Sequence, residues 1–158
     1  MSIHSKVLID EYEARLTLFS TIEPGHTGWS QEIQRVGAVM VLQGLLGGQY
    51  NSQSCSKLLA KIEQTNFEML QTAVAVSDSE FIYPGHAQWP QQVDQLVNPP
   101  IGLIVKGDLS QLSQKAIAIV GTREPSDYGQ EMAADFATGF VNHGWNVVSG
   151  GALGIDTC

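Results

Sequence analysis

The stretch that decides the fold is AIAIVGTREPSDYGQ, residues 116–130. An apolar run ends at Gly121 and gives way to a polar turn that holds a single arginine, Arg123. Beyond the turn, the spacing predicts a helix from about Tyr128 to His143, stopped by Gly144, and then WNVVSGG as a further strand. Strand, helix and strand with uninterrupted apolar strands is the pattern of a βαβ unit in a parallel sheet covered on both faces. Upstream, Pro99 and Pro100 lead into IGLIV, residues 101–105, which reads as a buried strand closed by a turn at Gly107 and Asp108.

In an open parallel sheet, ligands sit at the carboxyl ends of strands, so two segments invite a ligand. The first runs from Gly121 through Thr122, Arg123, Glu124, Pro125, Ser126 and Asp127 to Gly129, ahead of a helix whose N-terminal N–H groups favour anions. The second is Ser149, Gly150, Gly151, Ala152, Leu153, Gly154, Ile155 and Asp156, where glycine lets a ligand approach the backbone. Neither is a dinucleotide fingerprint or a Walker loop: the first lacks GxGxxG and the second lacks both the first-turn position and GK[ST]. The residues alone leave alternatives open. Gly121 and Gly129 also serve simple turn geometry, Arg123 also pairs locally with Glu124 or Asp127, and Ser126 or Asp127 suits a helix N-cap. Asp156 suits a second-turn cap or, less often, a catalytic carboxylate. No Ser/His/Asp or Cys/His arrangement can be assembled, and His86 and His143 read as loop and helix-end residues.

Composition narrows the classes. The 158 residues are 43% hydrophobic and 15% charged, a globular composition with enough apolar content for a core. No run approaches the roughly 20 apolar residues of a membrane span, and the N-terminus MSIHSKVLIDEYEARL lacks a secretory pattern, so a cytoplasmic location is expected. Cys55 and Cys158 have no paired spacing, which argues for reduced thiols over zinc or a disulfide. The net charge is −8. Residues 1–75 hold five Lys/Arg against seven acids, whereas residues 76–158 hold three (Lys106, Lys115, Arg123) against nine. A non-specific nucleic-acid coat needs a basic face that this chain lacks, so any anion site is local and built from backbone N–H groups with one or two cations.

The first 75 residues read as a small all-helical domain, with a structural or partner-docking role as its plain interpretation. Helices are predicted over 5–20 (Val7, Ile9, Tyr12, Leu16, Phe19) and 31–47 (Ile33, Val36, Val39 or Met40, Leu42). Between them TIEPGHTGWS reads as a loop, with Ser30 as a cap, and Gly47 and Gly48 end the second helix. A third helix is predicted from Ser56 to Gln64, extending towards Thr72. Near residue 76 the texture changes to proline-punctuated short apolar runs. The expected organisation is therefore 1–75 helical and 76–158 the first part of a Rossmann-like domain, incomplete because such sheets usually carry about five strands or more.

Three ordered segments, YPGHAQWPQQVDQLVNPPIGLIVKGD, AIAIVGTREPSDYGQ and VVSGGALGID, together resemble the DNA-processing protein A (DprA, also called Smf) family over residues 81–156. The resemblance implies an extended Rossmann-like domain that binds single-stranded DNA, protects incoming DNA and promotes its loading with the RecA recombinase in recombination and natural transformation. It implies no enzymatic turnover and no cofactor. It also implies self-association of the intact protein, through a surface that a chain stopping at Cys158 would lack. Carried onto this sequence, the phosphate-lining candidates are Gly121, Thr122 and Arg123 of the first turn and Ser149, Gly150, Gly151 and Gly154 of the second. Tyr128 and Trp145 are the aromatics nearest the motifs, each a candidate for base stacking or for core. The acidic balance of residues 76–158 fits a second reading, a Rossmann-like nucleotide-binding or nucleotide-processing protein.

Overall fold

The computed structural model describes residues 9–50 and 53–158. By its internal contacts the chain divides into two compact units, one ending at Leu109 and one spanning Ser110–Cys158. Together they hold six α-helices and two small two-stranded sheets among the described residues. The α/β class expected from the sequence is what the structure shows.

The first unit is built on five helices: α1 (Glu11–Thr21), α2 (Thr27–Val36), α3 (Ala38–Leu46), α4 (Gln53–Gln64) and α5 (Phe67–Val76). Ala14, Leu18, Ile33, Val41, Leu42, Leu45, Leu58 and Ile62 interlock as the core. The predicted helices form, but their limits move for identifiable reasons. The part of the first prediction that includes Val7 lies outside the described residues, and α1 starts after Asp10, whose carboxylate accepts the Glu13 N–H at 2.7 Å. The predicted loop TIEPGHTGWS is shorter than expected. Helix α2 begins at Thr27 with His26 Nδ1 accepting the Trp29 N–H, so Ser30 is not a cap; its hydroxyl is buried and donates to the Pro99 carbonyl at 2.6 Å. The predicted helix 31–47 is two helices, because Gly37 adopts φ +88° and breaks the ladder. Asn66, accepting the Met69 N–H at 3.0 Å, likewise starts α5 afresh after α4.

A short antiparallel pair completes this unit: β1 (Glu80–Ile82) against β2 (Leu103–Val105), with Phe81 opposite Ile104. Strand β2 is the predicted IGLIV segment, but it is only partly buried: Ile104 is 48% exposed. Phe81 packs with Leu16 and Val74 of the helices, and Ile82 is fully buried, so the change of texture at residue 76 falls inside the first unit. The loop that leads into β2 is fastened from the helical side. Arg15, 9% exposed, donates through Nη1 to the Ile101 carbonyl at 2.9 Å while its Nε holds Glu11 Oε1 at 2.5 Å. The prolines offer no N–H, and the segment is held through its carbonyls instead, that of Pro99 by Ser30 and that of Ile101 by Arg15.

The second unit carries the βαβ element read from the sequence. Strands β3 (Ala116–Ala118) and β4 (Asn146–Val148) pair in parallel, with Ile117 opposite Val147, and α6 (Asp127–Asn142) connects them. Ser126 caps α6 by accepting the Gly129 N–H at 3.2 Å, and Gly144, at φ +75°, follows its C-terminus. Cover on both faces of the strands is not observed: Ala116 and Ala118 are exposed, and Val148 is 54% exposed. Trp145 packs edge-on against Phe140, with Lys115 Nζ 3.7 Å from its ring centroid. Among the described residues no helix is long and apolar enough to cross a membrane.

Candidate anion-binding site

The two glycine-bearing turns meet at the carboxyl ends of β3 and β4. Their approach is set by backbone. Ile155 donates its N–H to the Thr122 carbonyl at 3.1 Å, and the Ile119 N–H bonds the Val148 carbonyl at 3.0 Å just before the turns begin. Gly154 sits at φ +100°, and a Cβ there would lie 2.2 Å from the Thr122 carbonyl oxygen and 2.6 Å from Arg123 Cα. Only glycine fits that position, since the clash is with backbone that has nowhere to go. Gly121 is similarly closed off, for a Cβ would meet the Ile155 side chain at 2.7 Å. The fold thus places Gly121, Thr122, Arg123 and Gly154 side by side.

The polar groups of the cleft are largely committed to one another. The Ser149 hydroxyl donates to the Ile119 carbonyl at 2.9 Å, and Thr122 Oγ1 accepts the Glu124 N–H at 3.2 Å. Most consequential is Asp156. Its Oδ1 accepts the Gly121 N–H at 3.2 Å and its Oδ2 accepts the Gly150 N–H at 3.0 Å, so one carboxylate spans both turns. Asp156 stands in a short 3-10 turn, Ile155–Thr157, which Gly154 admits to the cleft. Of the two readings open for it in the sequence, neither describes this bridge. Nothing within its own segment marks the bridge: Asp156 lies six residues after Gly150 but 35 after Gly121.

Arg123 is exposed and, among the described residues, forms no ion pair with Glu124, Asp127 or any other acid. A free guanidinium at the rim of a glycine cleft offers a planar fork of donors suited to two oxygens of one phosphate or carboxylate. Gly151, at φ +66° with open space around it, serves the turn. Tyr128 is 70% exposed beside this segment, which leaves its ring available for stacking, whereas Trp145 is engaged with Phe140 and Lys115. Among the described residues no group of three or more His, Cys, Asp or Glu side chains is placed to hold a metal. The arrangement places one cation without an acidic partner beside two turns whose Gly121 and Gly150 amides are already filled by Asp156.

The family model described as DNA recombination-mediator protein A matches residues 80–158. The chain is 40% identical over 70 residues to DNA processing protein DprA of Bacillus subtilis, a match covering 44% of this chain and 24% of that protein. It is 31% identical over 104 residues to Protein Smf of Escherichia coli, covering 66% of this chain and 25% of that one. The matched stretch therefore spans about a quarter of the length of each of these two relatives. In fold it is similar to the X-ray structure of DNA processing protein A from Streptococcus pneumoniae, with a TM-score of 0.62 and 18% identity over 92% of this chain and 50% of that one. With the interlocked strand-end turns in the matched half, these likenesses establish that the chain belongs to the DNA recombination-mediator protein A family.

Proposed function

We propose that the second unit binds the sugar–phosphate backbone of single-stranded DNA, in a protein that acts in DNA processing during recombination and natural transformation. The observation that carries this reading is the unpaired, exposed Arg123 at the rim of the two glycine turns. Its guanidinium engages a phosphodiester, and the close backbone approach at Gly154 holds the surrounding turn still. Tyr128 supplies a face for a neighbouring base. The proposal is one of binding without turnover, in the cytoplasm. Protection of incoming DNA, loading of RecA and self-association belong to it as properties implied for the family.

Fluorescence anisotropy with a labelled oligothymidylate tests it. Arg123→Ala is expected to weaken binding about tenfold and to lower the salt slope by about one. An unchanged affinity and slope would remove Arg123 from the site. The competing reading, a mononucleotide binder, is favoured by the acidic balance of residues 76–158. It requires saturable mononucleotide binding that does not grow with oligonucleotide length.

A further inference from the structure

Resting on the reading of this cleft as a phosphate site, we propose that Asp156 makes it selective for a phosphodiester over a phosphomonoester. The Gly121 and Gly150 N–H groups lie at the carboxyl ends of two parallel strands, where donors in a glycine turn ordinarily receive phosphate oxygens. Here both donate to the Asp156 carboxylate, at 3.2 and 3.0 Å. The carboxylate lies directly over the chain: a Cβ on Gly150 would come within 2.9 Å of Oδ2. Gly154 and Ile155 hold it in place, through the close approach to Thr122 and the Ile155 N–H bond to the Thr122 carbonyl. The inner donors are thus satisfied by a built-in anion, and the cleft floor carries a fixed negative charge.

What remains for a ligand is decided by counting donors. A phosphodiester has two non-bridging oxygens and one negative charge, which a single guanidinium fork matches. A terminal phosphomonoester has three such oxygens and close to two charges at pH 7, since its second pKa is about 6. Its second charge faces the Asp156 carboxylate, and the two strand-end amides that would meet its extra oxygen, those of Gly121 and Gly150, are taken. Glu124 and Asp127 flank Arg123 in sequence and add no donor side chain. The cleft therefore accepts the interior of a strand and rejects a free nucleotide or a phosphorylated end. Replacing Asp156 by Asn leaves one acceptor for two amides and removes the floor charge, which opens the cleft to the third oxygen.

The test uses the whole chain and two probes: thymidine 5′-monophosphate, a monoester, and an oligothymidylate without terminal phosphates, whose anions are all diesters. Asp156→Asn is expected to tighten monophosphate binding at least about fivefold more than it tightens the oligothymidylate. Equal changes for the two probes overturn the selectivity; if Arg123→Ala still weakens the oligothymidylate, the site itself stands. Loss of oligothymidylate binding dependence on Arg123 instead removes the site. A measurement on the unaltered chain guards against a misfolded variant: in a titration followed by amide NMR, oligothymidylate shifts Thr122 and Arg123 while Gly121 and Gly150 keep the positions set by Asp156. Saturable movement of the Gly121 and Gly150 amides with either probe shows that the ligand displaces Asp156, and overturns the proposal.

Discussion

Gly154→Ala is the substitution that most directly challenges the geometry of the cleft. The residue sits at φ +100° and ψ −134°, a region that side chains other than glycine occupy at a cost of about 1–3 kcal/mol. An added methyl also lands 2.2 Å from the Thr122 carbonyl oxygen and 2.6 Å from Arg123 Cα. Both are main-chain atoms, so relief requires the turns to part, with loss of the Ile155–Thr122 bond and of the Asp156 bridge. Each hydrogen bond is worth about 1 kcal/mol net. Together these terms put the cost near 3 kcal/mol or above, enough to open the turn in preference to tolerating the strain. Gly151→Ala is the matched control, because its φ of +66° costs only about 1–2 kcal/mol and its Cβ meets nothing within 4 Å. Amide hydrogen exchange of the second unit reads the difference: Gly154→Ala should lose protection at Gly121 and Gly150, whereas Gly151→Ala should retain it. Oligothymidylate affinity should fall with the first and hold with the second. Equal losses of protection would mean that the close approach at Gly154 does not hold the two turns together.

Other tests address the first unit. Arg15→Met keeps the apolar stem but strands the Ile101 carbonyl, and is expected to lower stability by about 2 kcal/mol in urea unfolding; a neutral result would show that the clamp contributes nothing. The Glu32 carboxyl is held below its ordinary range by hydrogen bonds from Arg35 and then Tyr50. A carboxylate with a depressed folded pKa stabilises at neutral pH, and that contribution disappears as pH falls through the folded value. Glu32→Gln should therefore narrow the gap between urea midpoints measured near pH 7 and near pH 3, and an unchanged gap would rule the cluster out as a source of acid sensitivity.

The βαβ element was legible because its signals are local and redundant: an apolar run, a serine able to cap at position 126, and a glycine at 144 to end the helix. The helical half was legible in kind but not in its breaks. A glycine such as Gly37 inside an apolar pattern costs a helix only about 1 kcal/mol, so the pattern alone does not end the helix there, and its positive φ does. His26 escaped as a cap because histidine is not among the preferred capping residues, and its ring nitrogen does the work of a hydroxyl. Strand β1 is three residues long, too short to show alternation, and it forms because Phe81 has Leu16 and Val74 to pack on. In the cleft, the glycines announced themselves, but the Asp156 bridge depends on Gly121, 35 residues before it in the chain, being brought beside Gly150. No pattern within one segment encodes that meeting.

The ammonium of Lys115 over the Trp145 ring has a practical consequence. The chain has three tryptophans, and the other two, Trp29 and Trp89, both lie before Leu109. A chain with those two changed to phenylalanine would emit from the second unit alone, through an indole whose excited state feels a nearby positive charge. Its colour and intensity would follow the opening of the β3–β4 pair directly, so the melting of the second unit could be watched by light without a label and apart from the helices that precede it.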